Sequence, residues 1–414
     1  RVSMSLSDDL LGDIESFAQA EPNRKVKHPT GYEPGIDTER GTYVVSAVNP
    51  LTPAAVSGRF AQQMKDASLD PDDWYLEDDR IEMRTWDMNL GEGQVHTAYY
   101  FKARIRRLHD RHDPDYEALI DEIRGYDLSP QDVEPGDPQT YVVVLSDWQL
   151  GKRDGDGTKG IVERVLAGIE ESRSRLEDLL SGGRAIERVV IAGLGDLVEG
   201  CDGFYPMQAF TVELDRRAQM RVARRLIAHA VRLFAPMVPH ITVVGVGGNH
   251  GENRKDGKAF TTFADNDDVA VFEQVAEAFA ENPSSFGHVT FLIPNDELSV
   301  TVKVGEHVLG FTHGHLGSRA GNAGLSHTKV WNWWVKQAHG RSPVGDADVL
   351  LNGHFHYFNW CVNGSRQHIQ VPALDHSTWY EQSSGTSTQH GMVTFLVGDT
   401  PVEELLIHPC AVVA

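Results

Sequence analysis

The stretch Tyr141-Val142-Val143-Val144-Leu145-Ser146-Asp147-Trp148-Gln149 sets an apolar, β-branched run directly before a polar cluster. Such a run reads as a buried strand that delivers its last side chains to the carboxyl edge of a sheet. The pattern recurs along the chain. Val189–Ala192 leads to Gly195-Asp196, and Ile241–Val246 leads to Gly248-Asn249-His250. Val308–Phe311 leads to His313-Gly314-His315, and Val349–Leu351 leads to Gly353-His354-Phe355-His356. Open α/β sheets build ligand sites at that edge. Strand ends carrying Asp, Asn, Gln and His therefore predict one converging metal site.

From Thr140 the chain alternates strands and helices, with helices expected near 161–180, 212–234 and 268–280. After Phe291 strands dominate, with one short helix around 328–338. This predicts a layered α/β domain over residues 140–414. The stretch 377–388 is Ser/Thr-rich and reads as a flexible loop. Upstream, residues 1–50 read as an amphipathic helix (Leu6, Leu10, Leu11, Ile14, Phe17 on one side) followed by a linker arm. Residues 51–139 read as a small α+β module with a trailing linker: a helix over 53–67, strands near Ile81–Met88 and Gln94–Arg106, and a helix near Asp115–Ile123. In the second of these strands Lys102, Arg104 and Arg106 alternate with Ala103 and Ile105. A basic strand face suits nucleic acid; a half-exposed strand over a small core gives the same pattern and is the favoured reading. The acidic run Asp70–Asp79 would repel phosphate nearby.

The chain has 414 residues, 40% hydrophobic and 24% charged, ordinary values for a globular protein. No apolar run approaches a membrane span, and Arg1–Ser7 lacks the regions of a signal peptide. Cys201, Cys361 and Cys410 are far apart, which argues against a zinc–cysteine site or a disulfide scaffold and fits a cytoplasmic protein. A net charge of -22 argues against wrapping nucleic acid on a broad basic surface. It leaves room for phosphate held by bound divalent metals and a local basic strip.

The clusters match the needs of two-metal phosphoester hydrolysis, in which two cations share a bridging oxygen ligand. Asp196 suits the bridge and Asp147 a terminal position. Asn249 supplies a neutral carbonyl oxygen. His313, His354 and His356 supply imidazole nitrogens, which favour Mn, Fe, Zn or Ni over Mg or Ca. In an extended segment residues i and i+2 point the same way, so His354 and His356 can aim at one pocket while Phe355 packs away.

From Tyr141 to Val397 this order of motifs resembles the calcineurin-like metallophosphoesterase superfamily, and within it the SbcD-like DNA repair exonuclease group. It is also similar, more loosely, to metallophosphoesterases encoded by tailed phages. The resemblance implies a layered β-sandwich flanked by helices. It implies a first metal on Asp147, Gln149, Asp196 and His356, and a second on Asp196, Asn249, His313 and His354. His250 would face the scissile phosphate, and a metal-bridging hydroxide would attack it. Two divalent ions are expected, with Mn foremost and Mg, Fe, Zn and Ni left open. Arg254 and His315 are candidate substrate contacts. The implied function is hydrolysis of phosphodiester bonds in nucleic acid, with an ATPase as a further partner; oligomeric state is left open. Small nucleotides as substrates, or a degenerate domain used for binding, are the alternatives. Three positions depart from the pattern. Gln149 stands where the family has His, and Gly251 intervenes before Glu252. Glu199 stands where the SbcD-like enzymes have His.

Overall fold

The structure is a computed structural model. It describes residues 35–37, 42–47, 51–67, 69, 74–89, 95–107, 114–133, 136–205, 207–255, 257–315, 326–378 and 390–410. The helix expected over 5–20 and most of the Ser/Thr-rich stretch lie outside these residues. The chain divides into two compact units, Pro22–Glu117 and a larger one that takes the chain from Ala118 onward.

The smaller unit is a four-stranded antiparallel sheet with one helix. In chain order it contains β1 (Gly35–Asp37), β2 (Thr42–Ala47), α1 (Pro53–Asp66), β3 (Trp74–Asn89) and β4 (Val95–Arg107), with sheet order β1-β2-β4-β3. Thr52 caps α1 by accepting from the Ala55 amide, and Pro53 opens the helix, where its missing N–H costs nothing. Val56, Phe60 and Met64 lie on one side of α1 and bury against Tyr43, Val45, Phe101, Ala103 and Ile105 of the sheet. β1 and β2 come from the stretch read as an arm, and they complete this sheet. In β4, Phe101, Ala103 and Ile105 are buried while Lys102 is exposed, the period-2 alternation of a half-buried strand. The side chains of Arg104 and Arg106 lie outside the described residues.

The larger unit is an α/β sandwich. It contains α2 (Pro114–Arg124), which it takes up from Ala118 onward, β5 (Gln139–Leu145), α3 (Gly157–Ser181), β6 (Ile186–Gly193) and α4 (Gln208–Thr211). These are followed by α5 (Arg216–Phe234), β7 (His240–Gly245), the hairpin β8 (Arg254–Lys255) and β9 (Lys258–Ala259), α6 (Asp267–Ala280), α7 (Pro283–Phe286) and β10 (Val289–Leu292). Next come β11 (Ser299–Val304), β12 (His307–Thr312), α8 (Ser326–His339), β13 (Val349–Asn352), β14 (Asn359–Asn363), β15 (Arg366–Gln370), β16 (Gly391–Val397) and β17 (Glu403–Pro409). This unit begins earlier than the residue-140 boundary expected from sequence. Glu122 of α2 pairs with Arg225 and Arg232 of α5, and Asn282 donates to the Ile123 and Tyr126 carbonyls, so the supposed linker packs on the sandwich.

One sheet has order β10-β7-β6-β5-β16-β17 and the other β11-β12-β13-β15-β14. The neighbours β10, β7, β6 and β5 are parallel, as are β12, β13 and β15. Val142, Val144, Val190, Ala192 and Val244 of the first sheet share one core with Leu309, Phe311, Val349, Leu351 and Ile369 of the second. On β5 the alternate residues Tyr141, Val143 and Leu145 are buried as well, which explains its uninterrupted apolar run. Trp334 of α8 buries with Val330, Val344 and Leu350 and donates from Nε1 to the Val344 carbonyl at 2.7 Å, a packing role. Among the described residues no helix is long and apolar enough to cross a membrane.

The parallel strands end on one side, and there the sandwich meets α6. Gly193 and Gly245 end adjacent strands beneath Phe272. A methyl group on Gly193 would lie 2.1 Å from the Phe272 ring, and one on Gly245 would lie 2.3 Å from it. Gly193→Ala is expected to destabilise the domain by about 1–3 kcal/mol through overpacking. A fall in the urea midpoint at unchanged m-value checks this; an unaltered midpoint would show that Phe272 yields freely.

Candidate metal centre

The polar clusters converge at the carboxyl edge of both sheets. Asp147 and Gln149 follow β5, Asp196 follows β6, and Asn249 and His250 follow β7. His313 follows β12, and His354 and His356 follow β13. Asp147 (φ 51°), Gln149 (48°), Asp196 (52°), His354 (73°) and His356 (63°) all have left-handed backbone. Such a conformation costs a non-glycine residue about 1–2 kcal/mol and persists only where the surroundings over-determine it. Here it turns the chain sharply after β5, β6 and β13 and directs these side chains towards the pocket.

The motif glycines make room for this. A Cβ on Gly353 would lie 2.3 Å from Asp147 Oδ2, and one on Gly248 would lie 2.1 Å from Asp196 Oδ1. Each glycine thus lets a carboxylate lie against bare backbone. Asp147 accepts from the His354 amide at 3.0 Å and from Ser146 Oγ at 2.6 Å. Asp196 Oδ1 accepts from the His250 amide at 2.8 Å.

Asp196, His313 and His354 bring their ligand atoms within 4.8 Å of one another. Asn249 Oδ1 joins them, 3.0 Å from His313 Nε2. Asp196 Oδ2 is buried, takes no hydrogen bond, and faces His313 Nε2 at 3.1 Å. His313 Nδ1 donates to the Leu194 carbonyl at 2.8 Å, which turns Nε2 inward, the arrangement that second-shell contacts impose on metal-binding histidines. An orphaned carboxylate oxygen, an amide oxygen and inward imidazole nitrogens fit a divalent cation.

The electrostatics agree. Burial works against charge on Asp196, but His313 and His250 outweigh it and hold this carboxyl well below its usual range. Asp147 is pushed up by burial, only partly offset by His356 and His313. Burial and the neighbouring His313 hold His354 well below the ordinary histidine value, so it is a neutral donor. Burial opposes charge on His313 as well, yet Asp196 lifts it to about 9.

The first-metal residues are arranged differently. His356 Nε2 lies 3.4 Å from Asp147 Oδ1, as a shared ligand would require. Gln149, however, turns its Nε2 to His356 Nε2 at 3.2 Å and its Oε1 to Lys152 Nζ at 2.5 Å. Lys152 also donates to Asp375 Oδ2 at 2.7 Å, and Asp375 Oδ1 lies 3.2 Å from His356 Nδ1. As placed, Gln149 does not offer an oxygen to a cation.

His250 stands beside the donor set. Its Nδ1 lies 3.0 Å from the Glu199 carbonyl oxygen and 3.2 Å from Glu199 Oε2, and its ring stacks on Phe204 at 4.1 Å. Tyr205 donates to Glu199 Oε1 at 2.7 Å. Burial disfavours the imidazolium, but Glu199 and then Asp196 raise His250 to about 9. Glu252 binds Arg254 at 2.6 Å and faces His315 Nε2 at 3.3 Å, and His250 is not among these partners. Arg254 also donates to the Gly257 carbonyl and lies over the Phe204 ring, so it braces the β8–β9 hairpin. His315 is buried beside His313, 5.4 Å between ring centres.

Sequence reasoning missed Lys152, Asp375 and Asp268. Asp375 follows β15 at the same sheet edge, which was the available signal. Asp268 accepts from the Asp196, Leu197 and Gly248 amides at 2.8, 3.0 and 2.9 Å, tying two ligand loops to the start of α6. Its only trace in sequence is the run Asn266-Asp267-Asp268, which reads as an ordinary helix start.

No family model matches the chain, and no curated protein matches it. Solved structures do. A conserved protein of Streptococcus pneumoniae described as a predicted phosphoesterase is 13% identical, with 65% of this chain and 98% of that one covered and a TM-score of 0.28. An archaeal phosphodiesterase is 12% identical, with 64% and 99% covered and a TM-score of 0.30. Vacuolar protein sorting 29 of Cryptosporidium parvum is 12% identical, with 63% and 86% covered and a TM-score of 0.29. Likeness at this level carries no argument about activity, so the reading rests on the pocket itself.

A cation on His313 Nε2 needs the lone pair that a proton occupies below about pH 9 in the metal-free pocket. Manganese binding at pH 7.5 is therefore expected to release about one proton per ion, and affinity should rise from pH 7 towards 9. Calorimetry in buffers of different ionisation enthalpy measures the release; binding without it would contradict this account of His313.

Proposed function

We propose that the chain is a metal-dependent phosphodiesterase acting on nucleic acid. The observation that carries this reading is the donor set Asp196, Asn249, His313 and His354 placed directly beside a His250 held by Glu199. A divalent cation in that set supplies a Lewis acid for a phosphoryl oxygen and lowers the pKa of coordinated water. The remaining tasks fall to the chain. Asp196 is held ionised and its loop is fixed through Asp268. His250 uses Nδ1 to bind Glu199, which leaves Nε2 as the atom that gives a proton to the leaving oxygen. Glu199 keeps that proton on the ring at neutral pH. Displacement by water requires no covalent enzyme intermediate.

Exposed apolar side chains support a base-bearing substrate. Phe210 and Phe260 are 73% and 66% exposed, and Met207, directly before α4, is exposed as well. α4, which carries Phe210, is tied to the histidine dyad because Gln208 Nε2 donates to the Glu199 carbonyl at 2.7 Å. The hairpin before Phe260 is tied to the Phe204 loop by the Gly257 amide, 2.8 Å from the Gly203 carbonyl. Such aromatic groups stack on bases irrespective of sequence. The net charge of -22 favours the second reading, a small nucleotide phosphodiester that needs no extended basic groove.

Labelled single- and double-stranded DNA and bis(p-nitrophenyl) phosphate, each incubated with Mn with and without chelator, separate the two. Chelator-sensitive cleavage of DNA is expected. Cleavage of the small diester alone would shift the assignment to small nucleotides, and no cleavage of any of the three would end the phosphodiesterase reading. Asp196→Ala is expected to lose Mn binding. His250→Ala should keep Mn while its turnover falls about 10²–10⁴-fold, the usual worth of a general acid; retained turnover would remove the role given to His250. Glu199 raises the His250 pKa, so Glu199→Gln should move the basic limb of the pH–rate profile to lower pH. A limb that stays in place would separate Glu199 from the proton transfer.

A further inference from the structure

Lys152, Gln149, His356 and Asp375 close a ring of contacts at the end of β5. Lys152 Nζ donates to Gln149 Oε1 at 2.5 Å and to Asp375 Oδ2 at 2.7 Å. Asp375 Oδ1 lies 3.2 Å from His356 Nδ1, and His356 Nε2 lies 3.2 Å from Gln149 Nε2. The ring fixes which way the Gln149 amide points. An ammonium group has donors only and must meet the amide oxygen. Exchanging the amide oxygen and nitrogen would set an NH2 group against Lys152. With the oxygen held there, the amide hydrogens point at His356 Nε2, the atom that a cation between Asp147 and His356 would need. A cation cannot lie against N–H hydrogens.

The charges point the same way. Asp147, Asp196 and Asp375 are buried carboxylates within this edge of the sandwich, and buried carboxylates need compensating positive charge. On the side of Asp196 the donors converge with an oxygen left unbonded. On the side of Gln149 the positive charge is already present, bound covalently to the chain and bonded to both an amide oxygen and a carboxylate.

We propose that the chain holds one divalent cation, on Asp196, Asn249, His313 and His354, and that the Lys152 ammonium supplies in the Asp147–Gln149–His356 pocket the charge that a second cation would bring. The inference rests on the metal-dependent reading above and assigns its stoichiometry. Lys152 is here a positioning residue: it orients Gln149 and Asp375 and touches no substrate.

The test counts metal rather than turnover. Metal-free protein is titrated with Mn, desalted and measured by elemental analysis, and its electron paramagnetic resonance spectrum is recorded. Wild type is expected to bind one Mn per chain with no exchange coupling. Lys152→Arg, which keeps the charge, should stay at one. The double variant Gln149→His, Lys152→Met, which restores a ligand and removes the ammonium, should take up a second Mn and show a coupled pair. Where circular dichroism shows the double variant unfolded, the pair Gln149→His, Lys152→Gln, which also removes the ammonium, is read by the same criterion. A coupled pair of Mn in wild type overturns the inference and leaves the phosphodiesterase reading intact. A folded double variant that stays at one also overturns it, because Gln149 and Lys152 would then not be what excludes the second ion. Wild type with no bound Mn overturns both readings. One bound Mn without DNA cleavage supports the stoichiometry and counts against the nuclease reading alone.

Discussion

The carboxylate of Asp268 accepts hydrogen bonds from the backbone amides of Asp196, Leu197 and Gly248, and the rest of the pocket is arranged around that junction. The loops after β6 and β7 have no ladder to hold them once the strands end. Asp268 replaces the ladder with a buried anion whose acceptors match their unpaired donors. Its place in the first turn of α6 is favourable for a negative charge. Even so, burial and the nearby Asp196 raise it to about 7, a measure of how crowded with negative charge this edge is. Asn266 caps the same helix and donates to the Gly248 carbonyl at 2.8 Å, so both faces of that loop are held by one helix start. About one turn beyond Asp268, Phe272 seats the helix on Gly193 and Gly245.

The pocket is asymmetric. On one side His313 is locked by the Leu194 carbonyl and Asp196 keeps an oxygen without a hydrogen bond. On the other, Gln149 and Lys152 complete each other's bonding. Histidine at position 149 could present a lone pair to a cation; glutamine, once its oxygen is engaged, presents hydrogens. A single change of residue type therefore alters which species the same backbone can accept.

Much of this was legible in the sequence, for identifiable reasons. The strands that lead to these clusters are buried on both faces, so Tyr141–Leu145 and Val349–Leu351 are continuous apolar runs, the pattern of a buried parallel strand. The candidate ligands stand two to five residues beyond the last apolar residue of each run, but it is the left-handed turns at His354 and His356, rather than the strand alternation expected there, that direct the two imidazoles. What escaped were the residues that hold the candidate ligands and His250 in place. Glu199 looked like a lost helper, yet it is the partner of His250. Its effect depends on Tyr205 and on a loop crossing that no local pattern encodes. Asp268 and Asp375 were invisible because their partners are backbone amides and a residue more than two hundred positions away. The arm read over 1–50 failed to announce β1 and β2, whose strands are short and find their apolar partners only in β4 and α1.

The spread of the ligands along the chain has a consequence for synthesis. Gln149 meets His356 across 207 positions, and Lys152 meets Asp375 across 223. Contacts of such separation form only after the intervening loop has closed, which makes them late events in folding. A ribosome-bound chain that has emerged only through β10 can pair four parallel strands and display Asp147, Asp196 and Asn249, but it has no imidazole from His313, His354 or His356 to complete the pocket. Loading of a cation into that pocket would therefore follow translation of the second sheet rather than guide the first. In the meantime the carboxylates at the sheet edge are left to water and to whatever counterions the compartment provides.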